Sequence, residues 1–192
     1  EFRNNPPSPS ATISATRDPI IYVGANDGML HGFYACTDTS VSKCGTEAIA
    51  YVPSMVYANL PDLTNPAYNH RYYVDGSPTV GDVYGNFGTN CSTGTSTSNC
   101  WRTVLIGGLG GGGNGYFALD VTDPTDFSET NASKLVLWEF TDGDLGNTFS
   151  KATIAKMKNG VWAAIFGNGY NSASGNATLF IVNAVTGALI RE

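Results

Sequence analysis

Positive charge is scarce in this sequence. Ten Lys and Arg stand against 16 Asp and Glu, for a net charge of −6 over 192 residues. The ten are scattered with no run, whereas nucleic-acid binding needs clustered Lys and Arg to meet phosphates, so that class of partner is excluded. Long apolar runs are missing as well: no stretch approaches the ~18–20 residues of a membrane-spanning helix. No signal-peptide pattern is present, so a secreted product would be its mature form. There are two histidines, His31 and His70, and no Ser or Cys elbow stands beside either. No nucleophilic constellation can be assembled from them. Charged residues of both signs make up only 14% of the chain, and long-chain helix formers are few, so very little helix is expected.

What fills the chain instead is glycine, 23 residues of it, with abundant Asn, Thr and Ser. Three stretches share one pattern: Ile20 to Ala35, Thr103 to Val121, and Ala163 to Gly187. Each has a short apolar strand ending in glycine, a Gly/Asn loop, a second alternating strand and an Asx/Thr/Gly turn. With Gly24, Gly107 and Gly167 in line, the spacings are 83 and 60 residues. These exceed the ~40–50 residues of a four-stranded propeller blade and call for insertions. Such repeats stack around an axis because none buries a core alone. The fold class read from this is all-β, part of a β-propeller of about three blades with Gly/Asn-rich hairpin loops. A closed propeller needs at least ~4 blades. A piece of a longer polypeptide is therefore expected, the rival being a ring completed by other chains.

Residues 1–19 are Pro/Ser-rich and aperiodic and read as a flexible arm or linker, with the propeller portion at 20–192. Within it, Ile20 to Gly24 is a nearly continuous apolar run, the mark of an inner strand packed on both faces. Ala48 to Pro53 and Leu135 to Phe140 read as outer strands. Ser77 to Tyr84 and Trp101 to Gly108 read as a pair, and Lys151 to Gly169 as a hairpin turning at Lys158, Asn159 and Gly160 with positive φ. One short helix is expected over Val56 to Leu60, stopped by Pro61.

The four cysteines form two local pairs, Cys36/Cys44 and Cys91/Cys100, each bracketing a polar segment without a core of its own. Neither has the C-x-x-C spacing or the nearby histidine of a metal site, so both read as disulfides in an oxidising compartment. Each is worth roughly 2–3 kcal/mol by loop entropy.

Other motifs have plainer readings. Gly108 to Gly113 matches G-x-G-x-x-G, but an alternating strand follows where a phosphate site needs a helix, so it is a hairpin loop. Asp142 to Asn147 places oxygens around glycines, yet it stops short of a twelve-residue calcium loop and reads as a surface turn. His31 and His70 default to packed or inter-blade positions. Asp75 is expected to bond the turn into the next strand. Trp101, Trp138 and Trp162 are expected to wedge between blades, a sugar-stacking surface being the alternative. No catalytic, cofactor or metal residue is assigned.

The segments YVGANDGMLHGF, YVPSMVYANLPDLTNPAYNHRYYVDGSPTVGD, WRTVLIGGLGGGGNGYFALDVTDP and LWEFTDGDLGNTFSKATIAKMKNGVWAAIFGNGYNS closely resemble the PilY (PilC) family of type IV pilus tip-associated biogenesis factors and adhesins. The resemblance spans nearly all of residues 20–192 and matches the opening part of a carboxy-terminal, modified quinoprotein-like β-propeller. It implies a secreted bacterial protein at the pilus or cell surface, on the outer membrane or fimbrium. That protein would support pilus assembly by opposing retraction, and would serve adhesion. The implied partners are minor pilins or the pilus tip and host or abiotic surfaces, with missing blades or another chain to close the ring. The family's calcium loop lies later in the propeller, and no stretch here matches it. Tyr34 and Asn183 depart from the pattern, standing where Asp120 stands in its own repeat. A quinoprotein-like dehydrogenase fragment is the enzymatic alternative and a glycan-binding propeller module the third reading. The leading one is non-enzymatic.

Overall fold

Strands rich in Val, Ile, Phe and Trp, separated by Gly and Asx turns, have nothing to bury against except one another, and they pair into successive antiparallel sheets. The protein is described here from a computed structural model over residues 17–36, 42–93 and 96–192. The first sheet has three strands, β1 (Ile20–Gly24), β2 (Leu30–Tyr34) and β3 (Glu47–Tyr51), in that order. The second runs β4 (Thr79–Gly85), β7 (Cys100–Gly108), β8 (Tyr116–Asp120), β9 (Val136–Phe140), with a small hairpin of β5 (Ser92–Thr93) and β6 (Ser96–Thr97) between β4 and β7. The third is β10 (Thr153–Lys156), β11 (Trp162–Gly167), β12 (Leu179–Asn183) and β13 (Leu189–Arg191). These are three consecutive blades, I to III, of an open, incomplete propeller. No helix among the described residues is long and apolar enough to cross a membrane.

Side chains alternate between the two faces of each sheet, and each face serves a different neighbour. Leu105, Phe117 and Leu119 of blade II join Leu30, Val56, Tyr73 and Val74 in a core between blades I and II. Val104, Ile106, Tyr116 and Ala118 face the other way, into a core with Ala164, Phe166, Phe180 and Val182 of blade III. The ladders place Gly24 opposite Leu30, Gly108 opposite Tyr116 and Gly167 opposite Leu179. It is therefore Gly108, not Gly107, that corresponds to Gly24 and Gly167. The double glycine permits both alignments on paper, but a one-residue shift would turn every side chain to the wrong blade.

Other differences from the sequence reading have local causes. The chain after Pro53 forms 3-10 turns over Ser54–Thr64, running through Pro61. Tighter i→i+3 winding in short pieces accommodates a residue that would break an α-helix. In the β10–β11 hairpin only Gly160 takes positive φ, 89°. The Asn159 side chain instead accepts from the Val161 N–H at 3.1 Å. Residues 1–16 of the expected arm lie outside the described residues. The next three are anchored: Arg17 Nη1 donates to Thr103 Oγ1 at 2.7 Å, Asp18 pairs with Lys43, and Pro19 O accepts from Ala35 N at 2.8 Å.

Candidate interaction surface

A buried ion pair, a hydrogen-bonded clasp and two disulfides brace the blades from within and across. Arg102 Nε donates to Asp120 Oδ2 at 2.7 Å, both side chains being buried. Asn90 Nδ2 also donates to Oδ2, and the Thr122 amide and hydroxyl saturate Oδ1. Asn183, at the equivalent place in blade III, accepts from the Val185 and Thr186 amides in the same Asx-turn manner. Tyr34 has no carboxylate to do this, and its carbonyl takes the Gly45 N–H instead. On the outer rim, Glu139 of β9 accepts from Tyr51 Oη at 2.6 Å and from the Ser54 amide at 2.7 Å, clasping blade I to blade II. Burial, with Glu139 beside it, pushes the Tyr51 phenol well up, so it remains a donor.

The sulfurs of Cys36 and Cys44 are joined, as are those of Cys91 and Cys100. The first bridge connects the end of β2 to the turn before β3, around residues 37–41, which lie outside the described residues. The second is 2% and 6% exposed at its two ends and belongs to the core between blades II and III.

The glycine run works by close approach. The amides of Leu109 and Gly110 donate to Thr148 Oγ1 at 3.0 and 3.2 Å, Gly111 N donates to Asp75 Oδ2 at 3.2 Å, and Gly112 N to Leu109 O at 2.9 Å. With its amides answered by protein acceptors and a strand following, this loop is not arranged to cradle phosphate. A Cβ on Gly112 would fall on the Tyr73 backbone, and one on Gly111 on the Tyr72 ring. The glycines let the blade I to blade II connection lie directly on the hairpin. Asp75 thus bonds the glycine loop across from it, through both its carboxylate and its amide.

That connection, residues 52–78, carries the most conspicuous exposed side chains on this part of the molecule. Tyr57 is 57% and Tyr72 50% exposed, and Tyr68 and Leu63 also reach the surface. The segment is held from within. Arg71 Nη1 bonds Asp62 Oδ2 at 2.6 Å and Asn59 Oδ1 at 3.1 Å, and buried Tyr73 donates its hydroxyl to Asn59 O at 3.0 Å. His70 is exposed here, edge-on to Tyr72 at 5.3 Å, and is not packed between blades. The chain beyond Pro61 crosses the surface, leaving no neighbour to enclose it. Residue chemistry alone did not single this platform out; its signal was the four tyrosines between Tyr57 and Tyr73.

The remaining candidates serve the fold. His31 lies between Asp27 and Glu47, with Nε2 2.9 Å from Asp27 Oδ2 and Nδ1 2.5 Å from Glu47 Oε1, and stacks on Phe33. Asp144, from the glycine-spaced acidic turn, accepts from the Ser174 and Thr178 hydroxyls, which hold its carboxyl below the usual range. Trp138 wedges between blades II and III, donating Nε1 to Ala184 O at 3.1 Å. Trp101 packs edge-on against Trp162 at 5.6 Å and tilted against Tyr84 at 5.4 Å, forming a small aromatic chain across two blades.

The PilY1 beta-propeller domain family model matches residues 4–192. A type IV pilus biogenesis factor PilY1 homolog of Xylella fastidiosa is 48% identical over 186 residues, covering 95% of this chain and 11% of that protein. The type IV pilus biogenesis factor PilY1 of Pseudomonas aeruginosa is 44% identical over 188 residues, 95% of this chain and 14% of its own length. The crystal structure of the Pseudomonas aeruginosa PilY1 C-terminal domain superposes with a TM-score of 0.66 at 41% identity, covering 96% of this chain and 32% of that one. The chain thus spans less than a sixth of these curated relatives' length.

Proposed function

The chain belongs to the PilY1 β-propeller family, and from that premise we propose that it is a non-enzymatic part of a type IV pilus biogenesis factor. In this reading it supports pilus assembly, opposes retraction and contributes to attachment at a surface. The observation that carries the reading is the match to relatives named as pilus biogenesis factors over 95% of the chain. The commitment of Asp120, Asp144, Asp75 and the glycine-loop amides to internal hydrogen bonds agrees with it. Two disulfides suit an oxidising, extracytoplasmic setting at the pilus or cell surface. Pilus or minor pilin proteins would contact the tyrosine platform, since exposed Tyr on a held backbone contributes contact area at low entropic cost.

The test is a Tyr57→Ala/Tyr72→Ala variant of the full-length polypeptide in its own bacterium, scored for surface pili and attachment. Loss of either phenotype, with secreted protein levels unchanged, is expected. Unaltered piliation and attachment would remove the platform from this role. A glycan-binding reading has one observation in its favour, the Tyr84–Trp101–Trp162 chain, in which buried Trp162 Nε1 has no hydrogen-bond partner. Tyr84→Ala with unchanged glycan-array binding would sink it.

A further inference from the structure

An asparagine followed by glycine can modify itself, because glycine has no Cβ to hinder attack by its amide on the asparagine side chain. The sequence has three such pairs, Asn114-Gly115, Asn159-Gly160 and Asn168-Gly169. The first and third lie in the same words, Gly-Asn-Gly-Tyr, at Gly113 to Tyr116 and Gly167 to Tyr170. Each follows a central strand, of blade II and blade III in turn.

The fold treats the three pairs differently. Asn168 is buried, and its amide is used from both ends: Nδ2 donates to Asp144 O and Asn176 O, and Oδ1 accepts from the Thr178 N–H. Asn159 is exposed, but its Oδ1 accepts from the Val161 amide, and Gly160 N donates to Met157 O at 2.9 Å. Side chain and attacking amide are both engaged there. Asn114 is exposed, and among the described residues its side chain has no hydrogen-bond partner, nor does the Gly115 amide meet a protein acceptor. Its neighbours are nonetheless held. The Thr148 hydroxyl reaches Gly113 O at 3.2 Å and Gly115 O at 3.0 Å, and Gly115 is pressed against the Met55 thioether at the root of the tyrosine platform.

We propose that Asn114 is a modification site, converted without an enzyme to aspartate and isoaspartate, and that conversion loosens the glycine loop under the platform. The Gly115 amide gives its proton to hydroxide and its nitrogen bonds to Asn114 Cγ. The Cγ–Nδ2 bond breaks and ammonia leaves, closing a succinimide with no change of oxidation state. Water then opens the ring at either carbonyl. One opening gives aspartate; the other routes the backbone through the side chain and adds a methylene to the main chain. That extra length falls between the two carbonyls that Thr148 holds together.

The test is timed incubation of the folded full-length polypeptide at mildly alkaline pH, then digestion in acid and mass analysis site by site. The expected result is conversion at Asn114 roughly tenfold faster than at Asn159 or Asn168, because local structure governs each rate. In urea the three rates should converge, since all three share one chemistry. Faster conversion at Asn159 or Asn168 in the folded protein would overturn the proposal, as would rates no more different when folded than in urea. The effect on the loop is read by hydrogen exchange over Leu109–Tyr116. Aged protein should exchange faster there than an equally aged Asn114→Gln variant, whose longer side chain closes its ring far more slowly. Identical exchange would overturn the loosening. Neither readout involves piliation, so this inference and the pilus reading fail separately.

Discussion

At the residue scale, the most informative side chains are ionisable groups held by named partners. Asp120 and Arg102 are buried together, and removing one partner strands the other charge in the core. Asp120→Asn should therefore cost about 3–5 kcal/mol, measured by urea unfolding, while a paired Arg102→Met/Asp120→Leu change should recover much of that loss. A single-variant cost below ~1 kcal/mol would mean that the guanidinium escapes to water. His31 works on the surface and by pH. Burial pulls its pKa down, but hydrogen bonds and charges from Glu47 and Asp27 outweigh that and raise it above 6.5. The clamp therefore stabilises blade I fully below pH 6.5 and releases it as pH climbs through the raised folded value. His31→Gln should flatten the stability-versus-pH curve in that window, and an unchanged slope would locate the titration elsewhere. Asp144 carries the opposite sign: its lowered pKa lends stability that disappears as the solution becomes strongly acidic.

At the element scale, two disulfides close loops of nearly the same length, with sequence separations of 8 and 9. Loop entropy alone then gives them equal worth, roughly 2–3 kcal/mol each. Packing separates them, because Cys91–Cys100 sits inside the blade II–III core whereas Cys36–Cys44 is half-buried at the rim. Cys91→Ala/Cys100→Ala should lower the melting temperature clearly more than Cys36→Ala/Cys44→Ala, and equal shifts would mean that the core contact adds nothing. Pairing was legible from spacing; burial was not, since it depends on how β7 lies against blade III. The same divide runs through the rest of the fold. Alternation in Trp101 to Gly108 and Trp162 to Gly167 announced strands. The register at Gly107–Gly108 was settled only by which face meets which blade. The tyrosine platform escaped notice because its residues follow no period, and the support beneath it comes from glycines nearly 40 residues downstream.

At the scale of the whole molecule, an open stack of blades has two bare ends, and this sets how the 192-residue chain behaves without its remaining blades. One end is the Ile21/Val23 face of blade I, exposed although the sequence marks this strand as packed on both faces. The other is the face of blade III turned away from blade II, where the register places exposed Leu179 with half-buried Ile165 and Ile181. Soluble monomers rarely leave contiguous apolar surface of this kind uncovered, and each end also offers unpaired strand backbone. The two ends are the opposite, complementary faces of one repeat, so the blade I face of one copy is shaped to meet the blade III face of another. Head-to-tail contact of that sort does not have to close, and it grows with concentration. Sedimentation velocity on the isolated chain should show a species distribution that shifts to larger mass as concentration rises. Leu179→Lys with Ile181→Lys should return it toward monomer by charging one of the two complementary ends. A single monomeric boundary at all concentrations would mean that the ends are masked within the chain itself, and the bare faces would then carry no drive to assemble.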